Sequence, residues 1–400
     1  MTGKQFISTV KYVAGTKPAF LLSEIAVYLD EPLTIAQMYA VLQPHLTELG
    51  LVAKKTSEDY TISRLLPTPP YILNAAEETR IDAYLALCTL PPSFETAIEQ
   101  YIAGKTGKGW SDPIILERLR RAIVAQKDDY WKPTNKRSLK YTKGYSVFGY
   151  LAYHFPVYFM QTRHLLAQLA REGLLKREMT ILDLGTGPGV IPLAVLDFWT
   201  CLDTARATVV PVERSKEHIE AFGALARGVA TQNSHVTIEP PREADITDPA
   251  HIPLPERVDL IVFSNVLNEL AGLPVAARAD IVMKYAERLA PDGTILIIEP
   301  AEEATSTGLR VLSLALKKRG LSIYAPCTFV WGTNCTPDRC WSFQTAHSIR
   351  PTRIMNMLAA CDEPFRYVNT DIKYSYVMLR KDGKTRSSCH IPKDTRALRL

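Results

Sequence analysis

The sequence predicts an α/β protein whose main domain is built on a parallel sheet. Three observations carry that prediction. The apolar run 179–184 ends in Gly185-Thr186-Gly187-Pro188-Gly189 and turns straight into a helical pattern. Strand-like and helix-like segments then alternate as far as Pro300. A compact helix, helix, hairpin pattern stands near the N-terminus. Alternation of strands and helices is what places helices on both faces of a parallel sheet.

The bulk numbers set the frame. A chain of 400 residues exceeds one ordinary core, so two or three domains are expected. With 46% hydrophobic and 22% charged residues, the composition is that of a globular protein. No apolar run is long enough to span a bilayer, so no membrane partner is expected. The net charge of +5 permits an anionic partner such as RNA without demanding one. Seven cysteines, odd in number and scattered, do not make a secreted disulfide framework. The first residues lack arginine and run into a patterned helix, so no processed leader is read and a cytoplasmic location is expected.

Residues 1–66 read as a winged-helix-like module. The stretch 19–29 carries an apolar stripe and reads as a helix. Thr34 is the N-cap of a second helix, and Gly50 suits a helix C-terminus. Residues 51–63 read as strand, polar turn, strand. The second helix has no Arg or Lys, which argues against DNA recognition. Residues 67–172 read as a helical region. Ser93 is the expected cap of one helix, and 151–175 reads as one long amphipathic helix. Between them, 126–150 interleaves Lys127, Lys132, Lys136, Arg137, Lys140 and Lys143 with Tyr130, Trp131, Tyr141 and Tyr145. Cations neutralise phosphates and aromatics stack on bases, so this is the composition of a single-stranded RNA contact, or of a solvated connector.

The glycine turn after 179–184 lets the backbone bend tightly and approach a ligand. A dinucleotide fingerprint would need a small residue at position 190, where Val190 stands. Asp183 ahead of the glycines is the other clue. The pattern resembles motif I of class I S-adenosylmethionine (SAM)-dependent methyltransferases. That resemblance implies a SAM-type Rossmann-like methyltransferase domain over 173–400. It implies cofactor-binding roles for Asp183, Gly185, Thr186, Gly187 and Gly189. A second strand ends at Glu213, whose carboxylate suits ribose hydroxyls. A third is followed by Asp245 and Ile246, and a fourth ends at Ser264 and Asn265; all of these are cofactor-binding candidates. Residues 289–300 read as the end of a helix, a Gly turn and a fifth strand. Asn265, Asn268 and Glu269 are the catalytic candidates, Asn268 and Glu269 serving equally well as caps of the next helix. Methyl transfer often needs no base, because positioning an activated sulfonium does most of the work.

A Cys-rich extension follows, about 322–395, with Cys327, Cys335 and Cys340 crowded into one loop and Cys389 near the end. Four thiolates can bind a structural zinc, although paired C-x2-C spacing is absent. Cys88 and Cys201 sit in apolar patterns and read as packing residues. Glu-Pro closing strand five, a later Leu-Arg pair, "APC", further cysteines and Lys373-Tyr374-Ser375-Tyr376 together resemble the small-ribosomal-subunit methyltransferase-like family over about 85–395. The resemblance implies SAM as cofactor and a [4Fe-4S] cluster on Cys327, Cys335, Cys340 and Cys389, with Cys361 competing for the fourth place. It implies rRNA or the small ribosomal subunit as partner. A protein side-chain methyltransferase and a non-catalytic SAM-binding assembly factor are the alternatives.

Overall fold

A computed structural model of the chain describes residues 3–29, 32–46, 49–64, 69–130, 144–229, 234–327 and 336–386. They form two compact units, Met1–Thr68 and Pro69–Leu400.

The first unit contains helix α1 (Gly3–Thr16), strand β1 (Ala19–Leu21), helix α2 (Ile35–Leu42) and the hairpin β2 (Leu51–Lys55) and β3 (Tyr60–Arg64). Thr34 caps α2, accepting from the Gln37 amide while Gln37 accepts from the Thr34 amide. The predicted hairpin is present, but the helix expected over 19–29 is not. Ala19–Leu21 instead pairs with β3, giving the sheet order β1-β3-β2, and Leu22–Tyr28 is a 3-10 helix. Its buried residues, Leu22 and Ile25, lie three apart, a spacing that suits three residues per turn. They join Phe6, Val10, Phe20, Met38, Leu42 and Ile62 in the core of this unit.

The second unit begins with α3 (Ala75–Ala86), α4 (Pro92–Thr106), α5 (Pro113–Tyr130), α6 (Tyr145–Tyr153) and α7 (Phe155–Arg171). The cap of α4 is Pro91, not Ser93, and Pro92 takes the first helical position, where a missing amide costs nothing. The single helix expected over 151–175 is two, broken at His154 just before Pro156. Nor is α7 amphipathic in effect: fourteen of its residues are buried, including Arg163. That guanidinium lies 3.4 Å over the Tyr84 ring, and the Tyr84 hydroxyl donates to Asp197. Helices α3 and α7 are thereby fastened to Asp197, on the helix that follows the first strand of the sheet, by a part-buried polar chain.

The sheet contains β4 (Glu178–Leu184), β5 (Arg206–Glu213), β6 (Val236–Ile238), β7 (Arg242–Glu243), β8 (Val258–Ser264), β9 (Leu289–Pro300), β10 (Ser322–Ala325), β11 (Gln344–Ala346) and β12 (Ile372–Arg380). Helices α8 (Val190–Phe198), α9 (Lys216–Gly228), α10 (Val275–Ala286), α11 (Glu303–Lys318) and α12 (Arg353–Leu358) connect or flank them. The order is β10-β12-β9-β8-β4-β5-β6, with β7 beside β5 and β11 beside β12. Strands β4, β5, β6, β8 and β9 run parallel, while β12 is antiparallel and inserted between β9 and β10. Two differences from the sequence expectation stand out. The third strand is split into the short β6 and β7, and Leu289 and Ala290 belong to β9 rather than to a helix. One apolar core holds α4, α7, α8 and α9 against one face of the sheet, and a second holds α10 and α11 against the other. Away from the glycine turn, buried Lys176 bridges Asp259 at 2.8 Å and Asp292 at 2.6 Å, tying β8 to the start of β9.

Candidate functional site

The site lies at the carboxyl ends of β4, β5, β8 and β9, the edge where open α/β sheets bind ligands. Gly185, Gly187 and Gly189 all have positive φ, at 77°, 56° and 89°. Only glycine takes up such a run without strain. A Cβ on Gly189 would meet the Phe222 ring at 2.1 Å, and one on Gly185 would meet Val266 at 2.7 Å. The loop therefore packs backbone where any side chain would collide.

Glu213, nearly buried at the end of β5, organises this loop. Its Oε2 accepts from the Gly187 amide at 2.8 Å. Its Oε1 accepts from the amides of Arg214 and Ser215 at 2.9 and 2.8 Å. Asp183 is fully buried, and neither carboxyl oxygen has a hydrogen-bond partner of good geometry among the described residues. Burial pushes its pKa up to about 7; the neighbouring Thr186 hydroxyl opposes the rise and the Glu213 charge adds to it. A buried acid with no cation beside it among the described residues is a site that a cationic ligand completes.

The remaining candidates gather on the same edge. Asp245 accepts from the Thr247 amide and hydroxyl, and the Arg214 guanidinium stands 3.8 Å from it and 4.0 Å from Glu269. Ile246 is buried and its carbonyl accepts from the Tyr285 hydroxyl at 2.9 Å. Ser264 ends β8. Asn265, next in the chain, has a φ of 54°, the left-handed region that a non-glycine residue enters at a cost. Its amide donates to the Ile298 carbonyl at 2.8 Å, and its Nδ2 to Ser264 Oγ at 3.3 Å. The Asn268 amide donates to Glu299 Oε1 at 3.1 Å. Burial raises the pKa of Glu269 to about 7 and that of Glu299 to about 8.

Two residues near this edge, Tyr150 and Arg278, carried no motif signal, and a third, Glu299, was read only as half of the Glu-Pro closing strand five. Tyr150 on α6 stands 5.8 Å, ring to ring, from His218 at the start of α9. Burial lifts its phenol well above the usual value, and Glu269, Glu213 and Asp183 add to the rise, which sets it among the carboxylates. Glu299 and Arg278 come together only through the pairing of β8 with β9 and the packing of α10 on α11.

The cysteine expectations fall partly outside the described residues, because Cys335 and Cys389 lie there. Cys327 packs at the edge of the second core, and Cys340 Sγ is 3.6 Å from Ser342 Oγ. Cys361 is half-buried against the first core. No group of three or more His, Cys, Asp or Glu is placed to hold a metal among the described residues. Most of the basic-aromatic segment, including Lys132, Lys136, Arg137, Lys140 and Lys143, is likewise outside them. Of its ends, Lys127 donates to the Arg366 carbonyl at 2.6 Å and lies over the Tyr153 ring, and the Tyr145 hydroxyl accepts from Arg118 at 3.1 Å. Both ends are engaged within the fold.

Comparison with known proteins gives two family matches. The profile of the mitochondrial small ribosomal subunit Rsm22 family matches residues 144–398, more than half of the chain. A domain of unknown function (DUF8157 N-terminal domain) matches residues 3–55. No curated protein matches. Among solved structures, a SAM-dependent methyltransferase from Clostridium acetobutylicum is 13% identical over 35% of this chain, with a TM-score of 0.27; the match spans 49% of that structure, about half its length. Magnesium protoporphyrin IX methyltransferase (ChlM) from Synechocystis, with bound SAM, is 13% identical over 66% of this chain and 95% of its own, with a TM-score of 0.33. A putative SAM-dependent methyltransferase from Methanococcus maripaludis is 14% identical over 57% of this chain and 86% of its own, also at 0.33.

Proposed function

The chain belongs to the mitochondrial small ribosomal subunit Rsm22 family, and from that premise and the site we propose that it is a SAM-dependent methyltransferase acting on rRNA of the small ribosomal subunit. The observation that carries the cofactor is the Asp183–Gly189 turn, with three left-handed glycines and an unpaired buried carboxyl beside Glu213.

When bound, SAM supplies a methyl group on a sulfonium, ready for transfer to a nucleophile held in line. The chain's own residues do the rest. The glycine turn brings bare backbone to the cofactor, and Glu213 ties that turn, through the Gly187 amide, to the end of β5, where it also accepts from the Arg214 and Ser215 amides. Asp183 supplies negative charge in a dry setting, where it acts most strongly on a cation. Asn265 and Glu269 line the acceptor side. Strained Asn265 holds a buried side-chain carbonyl oxygen without a partner among the described residues.

The test is transfer of radiolabel from SAM into small subunits from cells lacking the protein, followed by separation of RNA from protein. Label in the rRNA supports the reading. Label in one protein band would replace it with protein methylation. Binding of SAM without any label would leave an assembly factor. A [4Fe-4S] cluster on Cys327, Cys335, Cys340 and Cys389 belongs to the same proposal. The described residues supply two of those thiols, Cys327 and Cys340. Protein purified without air should be brown and lose its colour in Cys335→Ser; a colourless preparation holding one zinc per chain would decide against it.

A further inference from the structure

A cavity of about 270 Å³ opens behind the loop that carries Asn265. It lies between that loop, α10 and the first turns of α11, on the same sheet edge as the glycine turn. Leu267, Leu309 and Leu312 give it apolar walls. Its polar lining is Asn268, Arg278, Glu299 and Thr305, whose hydroxyl donates to the Pro300 and Glu302 carbonyls; Asn268 and Glu299 are only 7% and 3% exposed. Three atoms of this lining have no hydrogen-bond partner among the described residues: Asn268 Oδ1, Glu299 Oε2 and Arg278 Nε. Natural interiors rarely leave such groups unpaired. Once Glu299 is ionised, as the nearby Arg278 charge favours, two acceptors and one donor converge on one space.

That set describes the missing occupant. It must offer N–H groups to two oxygens and an acceptor to a guanidinium, and it must have flat apolar faces for the leucines. A lysine side chain fails, because it brings no acceptor and a second cation to Arg278. An amide side chain has the polar groups but no ring. The space is too small for a whole SAM molecule and suits a single ring system. A nucleobase with an exocyclic amine carries N–H donors beside a ring or carbonyl acceptor on one edge. Unpaired RNA bases are recognised in this way, by the edge and both faces.

We propose that this cavity holds one unpaired, amine-bearing base of the RNA substrate, edge-on to Asn268, Arg278 and Glu299. The proposal rests on the RNA methyltransferase reading above and gives it a place for the acceptor strand. Gly308 permits a clean test, since it lines the cavity and a Cβ there would meet nothing within 4 Å. Gly308→Leu fills the space and improves helix propensity.

The full chain, saturated with SAM, is titrated with tetramers of cytidine, adenosine and uridine. Wild type should bind the cytidine or adenosine tetramer at least tenfold more tightly than the uridine tetramer. Gly308→Leu should abolish that preference while its SAM affinity stays within twofold. Glu299→Gln, which keeps the shape, should change the ranking of the tetramers. Equal binding of all three tetramers, a preference that survives Gly308→Leu, or displacement of RNA by agmatine would each overturn the proposal. If SAM fails to bind wild type, the methyltransferase reading falls; the tetramer titration, run without SAM, still tests the cavity.

Discussion

Asp183→Asn separates the charge of the buried acid from its shape. Asp183 has a pKa of about 7 in the folded chain against an ordinary 3.8, and burial is the main cause. In the unfolded chain the carboxyl ionises near its ordinary value, whereas in the fold it keeps its proton. The folded state therefore binds more protons between pH 4 and 7, and stability falls as pH rises through that window. The contribution is fully present below about pH 4 and lost above about pH 7. A shift of about three units corresponds to roughly 4 kcal/mol, at about 1.4 kcal/mol per unit. Asparagine resembles the protonated acid, so it escapes the loss. Glu269 and Glu299 titrate in both proteins and largely cancel in the difference. Thermal unfolding without ligand, from pH 4.5 to 8.5, should show the variant gaining on wild type by several degrees and levelling off above pH 7. SAM binding should go the other way: wild type should release protons on binding near pH 6.5, seen by calorimetry in buffers of different ionisation enthalpy, and the variant should bind weakly. A stability gap that does not change with pH would refute the reasoning, because it would place the cost in shape rather than charge.

Other perturbations have equally definite outcomes. Glu213→Ala removes the acceptor for three backbone amides, so SAM affinity by calorimetry should fall by about 1–3 kcal/mol; unchanged affinity would remove Glu213 from the site. Gly189→Ala must place a Cβ against Phe222 at a φ of 89°, and should cost about 2–5 kcal/mol in denaturant unfolding through strain and overpacking; a neutral result would mean that the turn is free to move. Lys176→Met leaves the part-buried Asp259 without its cation and Asp292 with only Arg257 at 3.7 Å, and should destabilise by about 2–4 kcal/mol without weakening SAM binding in the folded fraction.

What the sequence revealed follows its periodicities. Strands β4, β5, β8 and β9 were legible because each is a largely apolar run, and the glycine turn because its residues have few alternative uses. Asp183, Gly185, Gly187, Gly189 and Glu213 are close in the motif and close in space for that reason. Residues 19–28 misled because Leu22 and Ile25, three apart, serve an α-helix and a 3-10 helix equally. Arg163 was hidden in a helix that seemed to have a polar face; its charge is met by the Tyr84 ring and carbonyl, which no local pattern announces. Tyr150 and Arg278 were illegible for a related cause. Each reaches the site through packing between elements far apart in the chain, so their significance resides in tertiary geometry rather than in spacing.

The placement of β12 has a consequence for synthesis on the ribosome. Strand β9 is complete at Pro300, yet its outer neighbour is β12, which ends at Arg380, and β10 has no other partner. At about 5–20 residues per second, the intervening chain takes on the order of 4–16 s to make. For that interval the nascent chain carries a long apolar strand with a bare edge, the template on which wrong pairings form. The pace of translation between β9 and β12 thus sets how long the half-built sheet stays open to a stranger's strand.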